Sequence, residues 1–153
     1  MIQIKYGDLL EAKGIIVHGC NAQGVMGSGV AKQIKERWPE CFREYQRHLK
    51  SFLNIGDSLG TVAFWTAYDE PHRPVVANGI TQKTYGRKGL HVDYKALRDV
   101  FKQIKEVAFV LNECRINFPL IGCGLGGGDW EIVSKIIDEE LDDKFEKILW
   151  LKE

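Results

Sequence analysis

The amino-acid sequence predicts a layered α/β domain with a largely parallel or mixed sheet. Short apolar runs of strand length alternate along the chain with longer segments whose apolar residues recur at helical spacing. A strand-like run also stands near each end of the chain. Alternation of this kind packs helices against the faces of a sheet. The 153 residues have the length of one domain, and we predict a single domain over residues 1–153.

The first third of the chain is predicted to contain two strands and two helices. Ile2 to Tyr6 alternates apolar and polar residues, as a half-buried strand does. Ile15 to Gly19 is apolar or small except for one histidine and is predicted to be a buried strand. A helix is predicted from about Gly29 through Arg37. It is interrupted at Trp38, because a residue before proline is pushed out of helical geometry, and helix resumes at Glu40.

The rest of the chain continues the alternation of strands and helices. Apolar residues recur at helical spacing up to Leu111, and Asp93 is the expected N-cap of that helix. Another helix is predicted from Trp130 to about Leu141. Further strands are predicted at residues 61–66, 75–77, 116–119 and 148–151, with turns or loops at 55–60 and 69–74.

Residues 78–87 are polar, contain two glycines and follow one of the predicted buried strands. They are interpreted either as a solvated loop or as a lid that covers a ligand. The hydrogen-bond donors of such a lid would be Gln82, Lys83, Tyr85 and Arg87.

Composition excludes several classes of partner. Lysine plus arginine (21) equals aspartate plus glutamate (21), so no overall field recruits nucleic acid or an anionic membrane. The amino terminus lacks the apolar core of a signal peptide, and no apolar run approaches the ~20 residues of a membrane span. We therefore expect a soluble cytoplasmic protein without a nucleic-acid or membrane partner.

The four cysteines are scattered, and none forms a metal-type pair with another cysteine or a histidine. Structural zinc is therefore not expected, and free thiols fit a reducing compartment. Cys41 and Arg47 have the C-x5-R spacing of cysteine-dependent phosphatases, but no glycine between them can form an anion cradle. This match is set aside.

A glycine loop follows the buried strand that begins at Ile15 and precedes the first helix. Three glycines within 24–29 let backbone amides approach an anion, with a helix N-terminus behind them. The segment fails as a phosphate loop of nucleotide triphosphatases, since Val30 and Ala31 replace the required lysine and hydroxyl residue. It also fails as a dinucleotide fingerprint, because Lys32 occupies the place of the third glycine.

A second glycine loop follows the strand predicted at 116–119. Five glycines lie within 122–128, more than a single turn requires, since each adds entropy that folding must remove. Two such loops at the ends of two buried strands predict a ligand with two halves, or a diphosphate held from both sides.

The order and spacing of these segments, over nearly the whole chain, resemble a macrodomain. The matching segments are Gly7-Asp8-Leu9, His18-Gly-Cys-Asn21, Met26-Gly-Ser-Gly-Val-Ala31, Pro119-Leu-Ile-Gly-Cys-Gly-Leu125 and Asp129-Trp-Glu131. The resemblance is strongest to the branch with ADP-ribose-1″-phosphate phosphatases and a terminal ADP-ribose–glutamate glycohydrolase. It implies a three-layer α/β/α sandwich with a central mixed sheet of about six strands, and an ADP-ribose cleft across the strand ends.

The resemblance also implies roles for individual residues. Asp8 matches the aspartate that receives the adenine amino group, although the residues alone favour an ordinary N-cap there. Asn21 matches a polar position near the distal ribose, and the two glycine loops match those that hold the distal ribose and diphosphate. The expected ligand-binding residues are Asp8, Leu9, Asn21, Gly27, Ser28, Gly29, Val30, Gln82, Gly122, Cys123, Gly124, Leu125, Gly126 and Gly127.

His18 aligns with a histidine implicated in catalysis by the phosphatase members, and imidazole titrates near neutral pH. The alternative is a hydrogen-bonded histidine on a buried strand. Asp129 is the expected partner in proton transfer, or else the N-cap of the helix that begins at Trp130. Neither a cofactor nor a metal is expected.

One departure from the family pattern bears on the chemistry. The glycohydrolases use a lysine in the segment that matches residues 80–83 and an aspartate directly after Gly-Cys-Gly-Leu, where this chain has Gln82 and Gly126. A shifted alignment would supply Lys83 and Asp129 instead. The expected activity is hydrolysis of the phosphate monoester of ADP-ribose-1″-phosphate. The alternatives are hydrolysis of glutamate-linked ADP-ribosyl protein or O-acetyl-ADP-ribose, and a reader that binds ADP-ribose without chemistry. The expected partners are ADP-ribose or a derivative, and an ADP-ribosylated protein.

Overall fold

The computed structural model describes residues 1–86 and 89–152. Within them the strands are β1 (Ile2–Tyr6), β2 (Ile15–Asn21), β3 (Val62–Thr66), β4 (Val75–Gln82), β5 (Arg115–Phe118) and β6 (Glu146–Leu151). The α-helices of the same residues are α1 (Gly29–Arg37), α2 (Pro39–Lys50), α3 (Tyr94–Leu111) and α4 (Trp130–Glu140). Short 3₁₀ helices span Leu9–Glu11 and Ile55–Ser58.

The strands form one mixed sheet in the order β1-β6-β5-β2-β4-β3. Every neighbouring pair is parallel except β3 with β4, which is antiparallel. The carboxyl ends of β1, β6, β5, β2 and β4 therefore lie at the same edge of the sheet. Each loop that leaves this edge starts close to its neighbours, and open α/β sheets bind their ligands there.

Helices cover both faces of the sheet and make three layers, as the resemblance implied. β2 shows the arrangement, since Ile15 and Val17 pack in the core beneath α3 and α4, whereas Ile16 packs in the core beneath α1. A third cluster, which includes Tyr45 and Leu49 of α2, continues the second core toward the carboxyl edge. Apolar residues on both faces are required of a strand buried on both sides.

The helix boundaries follow the predicted signals. The Asp93 carboxylate accepts a hydrogen bond from the Ala96 amide at 2.9 Å and caps α3. α3 ends at Asn112, whose φ of 53° is the left-handed conformation common after a helix. Pro39 begins α2 directly after α1, so the predicted interruption at Trp38 is confirmed. In residues 1–86 and 89–152, no helix has both the length and the apolar character needed to span a membrane.

β4 is longer than predicted, and the proposed lid over residues 78–87 is wrong for its first half. Residues 78–82 continue the strand, with Asn78 and Thr81 fully buried. The polar side chains of this part of the strand interrupt the apolar pattern by which strands are predicted. The burial of Asn78 is possible because its amide has partners inside the protein. Of the predicted lid donors, Lys83 and Tyr85 lie in the exposed loop that follows, and Arg87 lies outside the described residues.

Candidate functional site

The candidate site lies at the sheet edge where β1, β5, β2 and β4 end. We call residues 22–28, which follow β2, the first glycine loop, and residues 119–129, which follow β5, the second glycine loop. β2 and β5 pair directly in the sheet, so the two loops leave adjacent positions. The order of elements along this edge places both loops between Asp8, after β1, and Gln82, at the end of β4.

The side chain of Asn21 organises the first glycine loop. Its Oδ1 accepts the amides of Gln23 at 2.9 Å and Val25 at 3.4 Å, and its Nδ2 donates to the Val25 carbonyl at 2.9 Å. The Gln23 side chain donates in turn to the Lys83 carbonyl at 2.8 Å, which ties the loop to the residue after β4. Asn21 is 9% exposed, and its contact with a ribose stays a prediction.

The first glycine loop delivers the start of α1 to the surface with its polar groups free. Ser28 is the N-cap residue, yet its hydroxyl makes no capping hydrogen bond. The first amides of α1 have no acceptor within the helix, since an α-helix bonds each amide to the carbonyl four residues earlier. A β-carbon at Gly29 would meet no atom within 4 Å. These are the features of an anion site at a helix N-terminus. Val30 contributes differently, because its side chain packs against the core beneath α1.

The glycines of the second glycine loop fall into two groups. Gly122 and Gly128 are required by the fold, because a β-carbon at either would lie 2.8 Å from a methyl group of Val92. Their backbones also bond each other, with the Gly128 amide donating to the Gly122 carbonyl at 2.8 Å. Gly124 is different, since it lacks a positive φ and a β-carbon there would meet no atom within 4 Å. Packing within the described residues gives no reason for a glycine at 124.

Backbone amides of the second glycine loop are available to a ligand. Among the described residues, no acceptor is found for the amides of Gly124 and Leu125, which are both exposed, whereas the Gly127 amide donates to the Gly124 carbonyl at 3.1 Å and Gly126 is buried. Consecutive free amides in a glycine-rich turn form a concave cradle for an anion.

Gln82 and Gly126, the two positions that depart from the glycohydrolase pattern, adjoin each other in space. A β-carbon at Gly126 would lie 3.2 Å from Oε1 of Gln82 and only 2.6 Å from the carbonyl oxygen of Gly122. The Gly126 carbonyl accepts the amides of His91 at 2.8 Å and Val92 at 3.0 Å. The loop is therefore closed around residue 126, and an aspartate does not fit there without a change of backbone.

Lys83 and Asp129, the residues of the shifted alignment, belong to separate local structures. A β-carbon at Gly56, in the second 3₁₀ helix, would lie 3.8 Å from the Lys83 ammonium nitrogen. Asp129 caps α4 by accepting the Glu131 amide at 2.9 Å. Its own amide donates to the Tyr94 hydroxyl at 3.0 Å. The structural role of Asp129 as an N-cap is confirmed, and its role in chemistry stays a prediction.

Cys123, in the second glycine loop, is half-buried. Burial raises the pKa of its thiol to about 11, with the Asp129 carboxylate as the second cause. Cys41, of the discarded C-x5-R match, is a buried thiol on α2 whose pKa burial raises to about 12, which is the reverse of an activated nucleophile.

Asp8 has one oxygen in a structural role and one oxygen in reach of solvent. Oδ1 accepts the Leu10 amide at 2.9 Å and caps the 3₁₀ helix Leu9–Glu11, as the residues alone predicted. Oδ2 lies 4.0 Å from the Arg37 guanidinium, and 57% of the side chain is exposed. The side chain of Leu9 is buried beneath α1. Capping and adenine recognition are therefore compatible at Asp8.

His18 lies inside the protein. The residue is 1% exposed, and its Nε2 lies 2.5 Å from Oδ1 of Asn78 on the neighbouring strand. Nδ2 of Asn78 faces the Ala63 carbonyl at 3.0 Å, and a carbonyl can only accept, so this contact sets the orientation of the amide. Oδ1 therefore faces His18, and Nε2 carries the proton.

Burial lowers the pKa of His18 to about 4, and the hydrogen bond with Asn78 opposes this effect only in part. The imidazole is consequently neutral at neutral pH. Its unprotonated Nδ1 lies 3.8 Å from the buried thiol of Cys20. The geometry favours the alternative of a hydrogen-bonded histidine on a buried strand over a proton-transfer role.

Comparison with known proteins assigns the family. A family model for the Macro domain matches residues 17–137, a stretch that contains both glycine loops. The chain belongs to the macrodomain family. The macrodomain of Mycobacterium tuberculosis DarG superposes on it with a TM-score of 0.83 and 26% sequence identity, over 98% of this chain and 97% of that one. This similarity confirms the predicted sandwich.

Two relatives of this macrodomain have names that describe hydrolysis of ADP-ribose derivatives. A DNA ADP-ribosyl glycohydrolase of Mycobacterium tuberculosis is 34% identical over 139 residues, which make up 88% of this chain and 37% of the relative. An ADP-ribose 1″-phosphate phosphatase of Candida albicans is 26% identical over 149 residues, or 91% of this chain and 93% of the relative. The chain thus spans little more than a third of the mycobacterial protein.

Sequence reasoning missed the tyrosines that hold the loops of this macrodomain from the helix layers. Tyr94 of α3 accepts the Asp129 amide, and Tyr45 of α2 bonds two groups of Asn21, at the end of β2, and the Gly24 amide of the first glycine loop. The sequence does carry a signal for Tyr45, since Cys41, Tyr45 and Leu49 recur every four residues along one buried face. Periodicity predicts its burial but not the partner of its hydroxyl. Among the described residues, no cluster of three or more potential metal ligands occurs.

Proposed function

We propose that the protein binds ADP-ribose at the edge formed by its two glycine loops and hydrolyses a derivative carrying a phosphate monoester at the 1″ position. The observation that carries binding is the pair of neighbouring loops with free backbone amides and open glycines. Gly29 and Gly124 each face open space, so the loops admit a ligand close to the backbone. Free amides in that setting suit the oxygens of a diphosphate.

The order of strands supports an elongated ligand. Asp8 follows β1, the second glycine loop follows β5 two positions along the sheet, and the first glycine loop follows β2 in the next position. At a strand spacing of about 4.8 Å, the ends of β1 and β2 are about 14 Å apart. Adenine at Asp8, the diphosphate over the second glycine loop and the distal ribose at the first glycine loop follow this order.

The surroundings of Gln82 and Gly126 favour the phosphate monoester over a glycosidic substrate. The resemblance assigns the glycohydrolases a lysine and an aspartate at these positions. Here the first is an amide that donates to the Thr84 carbonyl at 2.7 Å, and the second has no space for a side chain. The pair that would attack the anomeric carbon is therefore replaced by neutral groups.

Asp129 is the proposed proton acceptor. One of its oxygens caps α4, and the other has no partner among residues 1–86 and 89–152 and would take a proton from water as the water oxygen attacks phosphorus. The bond between phosphorus and the 1″ oxygen then breaks, and the 1″ oxygen takes the proton from Asp129, so that inorganic phosphate and ADP-ribose are released and the carboxylate is restored. Free amides of the loops hold the charge that develops on the phosphoryl oxygens. His18 is left out of this mechanism, because it is buried and neutral.

A glycohydrolase that acts on ADP-ribosylated DNA is the second candidate. The observation in its favour is the 34% identity to the mycobacterial relative of that name, compared with 26% to the Candida phosphatase. Two observations argue against this second candidate, namely the neutral overall charge and the presence of Gln82 and Gly126.

Titration with ADP-ribose followed by two product assays tests the proposal. We expect binding, release of inorganic phosphate from ADP-ribose-1″-phosphate, and little product from a glutamate-linked ADP-ribosyl peptide or an ADP-ribosylated oligonucleotide. Product from the oligonucleotide alone would select the second candidate. Binding without product from any substrate would identify a reader, and absence of binding would remove ADP-ribose as the ligand.

A further inference from the structure

Tyr45 links α2 to the first glycine loop through the hydrogen bonds of its hydroxyl. The residue is fully buried, and its ring packs among apolar residues between α2 and the sheet. Its oxygen lies 2.6 Å from the Asn21 carbonyl, 3.0 Å from Oδ1 of Asn21 and 3.1 Å from the Gly24 amide nitrogen. One phenol thus meets three polar groups at the end of β2 and in the first glycine loop, 21 to 24 residues earlier in the chain.

The hydrogen-bond inventory of these groups is balanced. Burial raises the pKa of Tyr45, so the hydroxyl keeps its proton. Oδ1 of Asn21 already accepts two amides, so the short contact with the Asn21 carbonyl takes the phenolic proton. The oxygen lone pairs of Tyr45 accept from the Gly24 amide, for which the described residues offer no other acceptor. Removal of this oxygen orphans a donor and an acceptor together.

The hydrogen bonds of Tyr45 lie where the loop changes direction. Gly24 has a φ of 82°, the left-handed conformation that favours glycine, and the chain then leads through Met26 to the exposed Gly27, Ser28 and Gly29. Asn21 stiffens the same turn from within by bonding both groups of the Val25 backbone. The shape of the segment that presents the α1 amides is therefore determined jointly by Asn21 and Tyr45.

We infer that Tyr45 is a positioning residue, whose hydroxyl holds the first glycine loop in the shape that binds the distal ribose and diphosphate half of the ligand. This inference rests on the proposed function for the identity of the ligand. It assigns no contact between Tyr45 and the ligand, because the side chain is buried beneath the loop.

Tyr45→Phe removes the oxygen and keeps the ring that fills the core. Amide hydrogen exchange, measured without ligand, tests whether the Tyr45 hydroxyl restrains the first glycine loop. We expect exchange at Gln23, Gly24 and Val25 to become at least tenfold faster, while β2 and α3 keep their protection. Tyr68→Phe is the matched control, since Tyr68 is 73% exposed and its hydroxyl has no hydrogen-bond partner among the described residues.

Two ligands then separate positioning from general loss of structure. ADP-ribose engages the whole site, whereas adenosine 5′-monophosphate carries only the adenine half, which is proposed to lie at Asp8. We expect Tyr45→Phe to weaken ADP-ribose binding at least tenfold and to leave the affinity for adenosine 5′-monophosphate within twofold. Equal weakening of both ligands would reduce Tyr45 to a merely structural residue and overturn the inference, as would unchanged ADP-ribose affinity.

Failure of the proposed function has a different signature. A wild-type protein that does not bind ADP-ribose contradicts the proposed function directly, and with it the ligand assigned to the loop, while the exchange experiment still decides whether Tyr45 holds the loop. If Tyr45→Phe does not fold, Gly24→Ala strains the same turn from the loop side, where a β-carbon meets only Leu49 at 3.9 Å. Undiminished ADP-ribose affinity in Gly24→Ala would overturn the inference.

Discussion

At the scale of single residues, glycine has different roles at different positions of this protein. Gly122 and Gly124 stand two residues apart in the second glycine loop, and only the first is required by the fold. Gly122 has a φ of 76° and lies against Val92, whereas Gly124 faces open space. Neither the backbone nor the packing of the described residues requires a glycine at 124, and the proposed reason is the approach of a ligand.

Substitution of these two glycines is expected to separate binding from stability. Gly124→Val should weaken ADP-ribose binding by ~1.4 kcal/mol or more, since the side chain occupies the ligand's space, and should change the free energy of unfolding by less than about 0.5 kcal/mol. Gly122→Val should lower the free energy of unfolding by about 1–3 kcal/mol, because it combines backbone strain with overpacking. Calorimetric titration and denaturant unfolding measure the two effects. Normal binding by Gly124→Val would contradict the proposed site.

His18 predicts a dependence of stability on pH. Its folded pKa of about 4 lies below the ordinary value of 6.5, so between these values the unfolded chain binds a proton that the folded protein excludes. Stability is therefore greatest above pH 6.5 and falls as the pH drops toward 4. The loss should be about 2 kcal/mol between pH 6.5 and pH 5, and about 3 kcal/mol by pH 4.

The control is His18→Gln, which keeps a donor for Asn78 but has no titratable group. Urea unfolding of the wild-type protein and of His18→Gln across the pH range gives the free energy of unfolding of each. The difference between the two free energies should change with pH by the amounts expected for His18. His48, whose pKa burial also lowers, contributes to the slope in both proteins. Equal slopes in both would show that His18 does not titrate as described. Loss of phosphate release in a stably folded His18→Gln protein would return His18 to the mechanism.

At the scale of elements, each helix start has a distinct assignment. Asp93 and Asp129 both cap a helix through a carboxylate oxygen, but only Asp129 stands at the second glycine loop. Ser28 begins α1 without a capping bond, which leaves the hydroxyl and the first amides free. The α1 start is thus available to a ligand, while the α3 start is closed by its own side chain.

Asparagine at these two positions should separate capping from catalysis. Asparagine caps a helix as well as aspartate does, so Asp129→Asn and Asp93→Asn should each change the free energy of unfolding by less than about 0.5 kcal/mol. Asp129→Asn should slow phosphate release from ADP-ribose-1″-phosphate on the order of 10²-fold, because the amide cannot take a proton. Asp93→Asn should not slow it. Steady-state rates for both variants decide the point, and undiminished turnover in Asp129→Asn would remove it from the mechanism.

At the scale of the whole molecule, the parallel sheet gathers groups from distant parts of the chain. Asp8, Asn21, Gln82 and the second glycine loop belong to separate segments, and they share one edge because their strands run in the same direction. Each loop is also held by groups from elsewhere, as Tyr45 holds the first glycine loop and Tyr94 the second. A ligand along this edge contacts several elements at once.

Ligand binding should therefore stabilise the entire domain. At an ADP-ribose concentration of 100 times the dissociation constant, linkage adds about 2.7 kcal/mol to the free energy of unfolding. For a domain of this size, that corresponds to a rise in melting temperature of about 5 to 10 °C. Thermal unfolding with ADP-ribose, and with guanosine diphosphate as a control for diphosphate binding alone, measures it. An equal rise with both nucleotides would contradict recognition of adenine at the site.

The sequence by itself determined the architecture, and it predicted the place of the site. Periodicity located α1, α3, α4 and the start of α2 within one or two residues, because amphipathic helices show their buried face in the spacing of apolar residues. The glycine loops were visible since glycine clusters are rare in packed elements. The predicted strand ended at residue 77, before the end of β4, because the buried polar residues of β4, Asn78 above all, show no apolar pattern.

Only the tertiary structure decided what the predicted site residues do. His18 is satisfied by an asparagine 60 residues away, and Gly126 is closed off by the Gly122 carbonyl beside it. Neither fact follows from periodicity or composition, because hydrogen-bond partners and steric space are set by which strands and loops become neighbours. The sequence therefore supplied the edge of the sheet and its loops, and the fold decided that His18 belongs to the core while Gly124 and the start of α1 are open at the proposed ligand site.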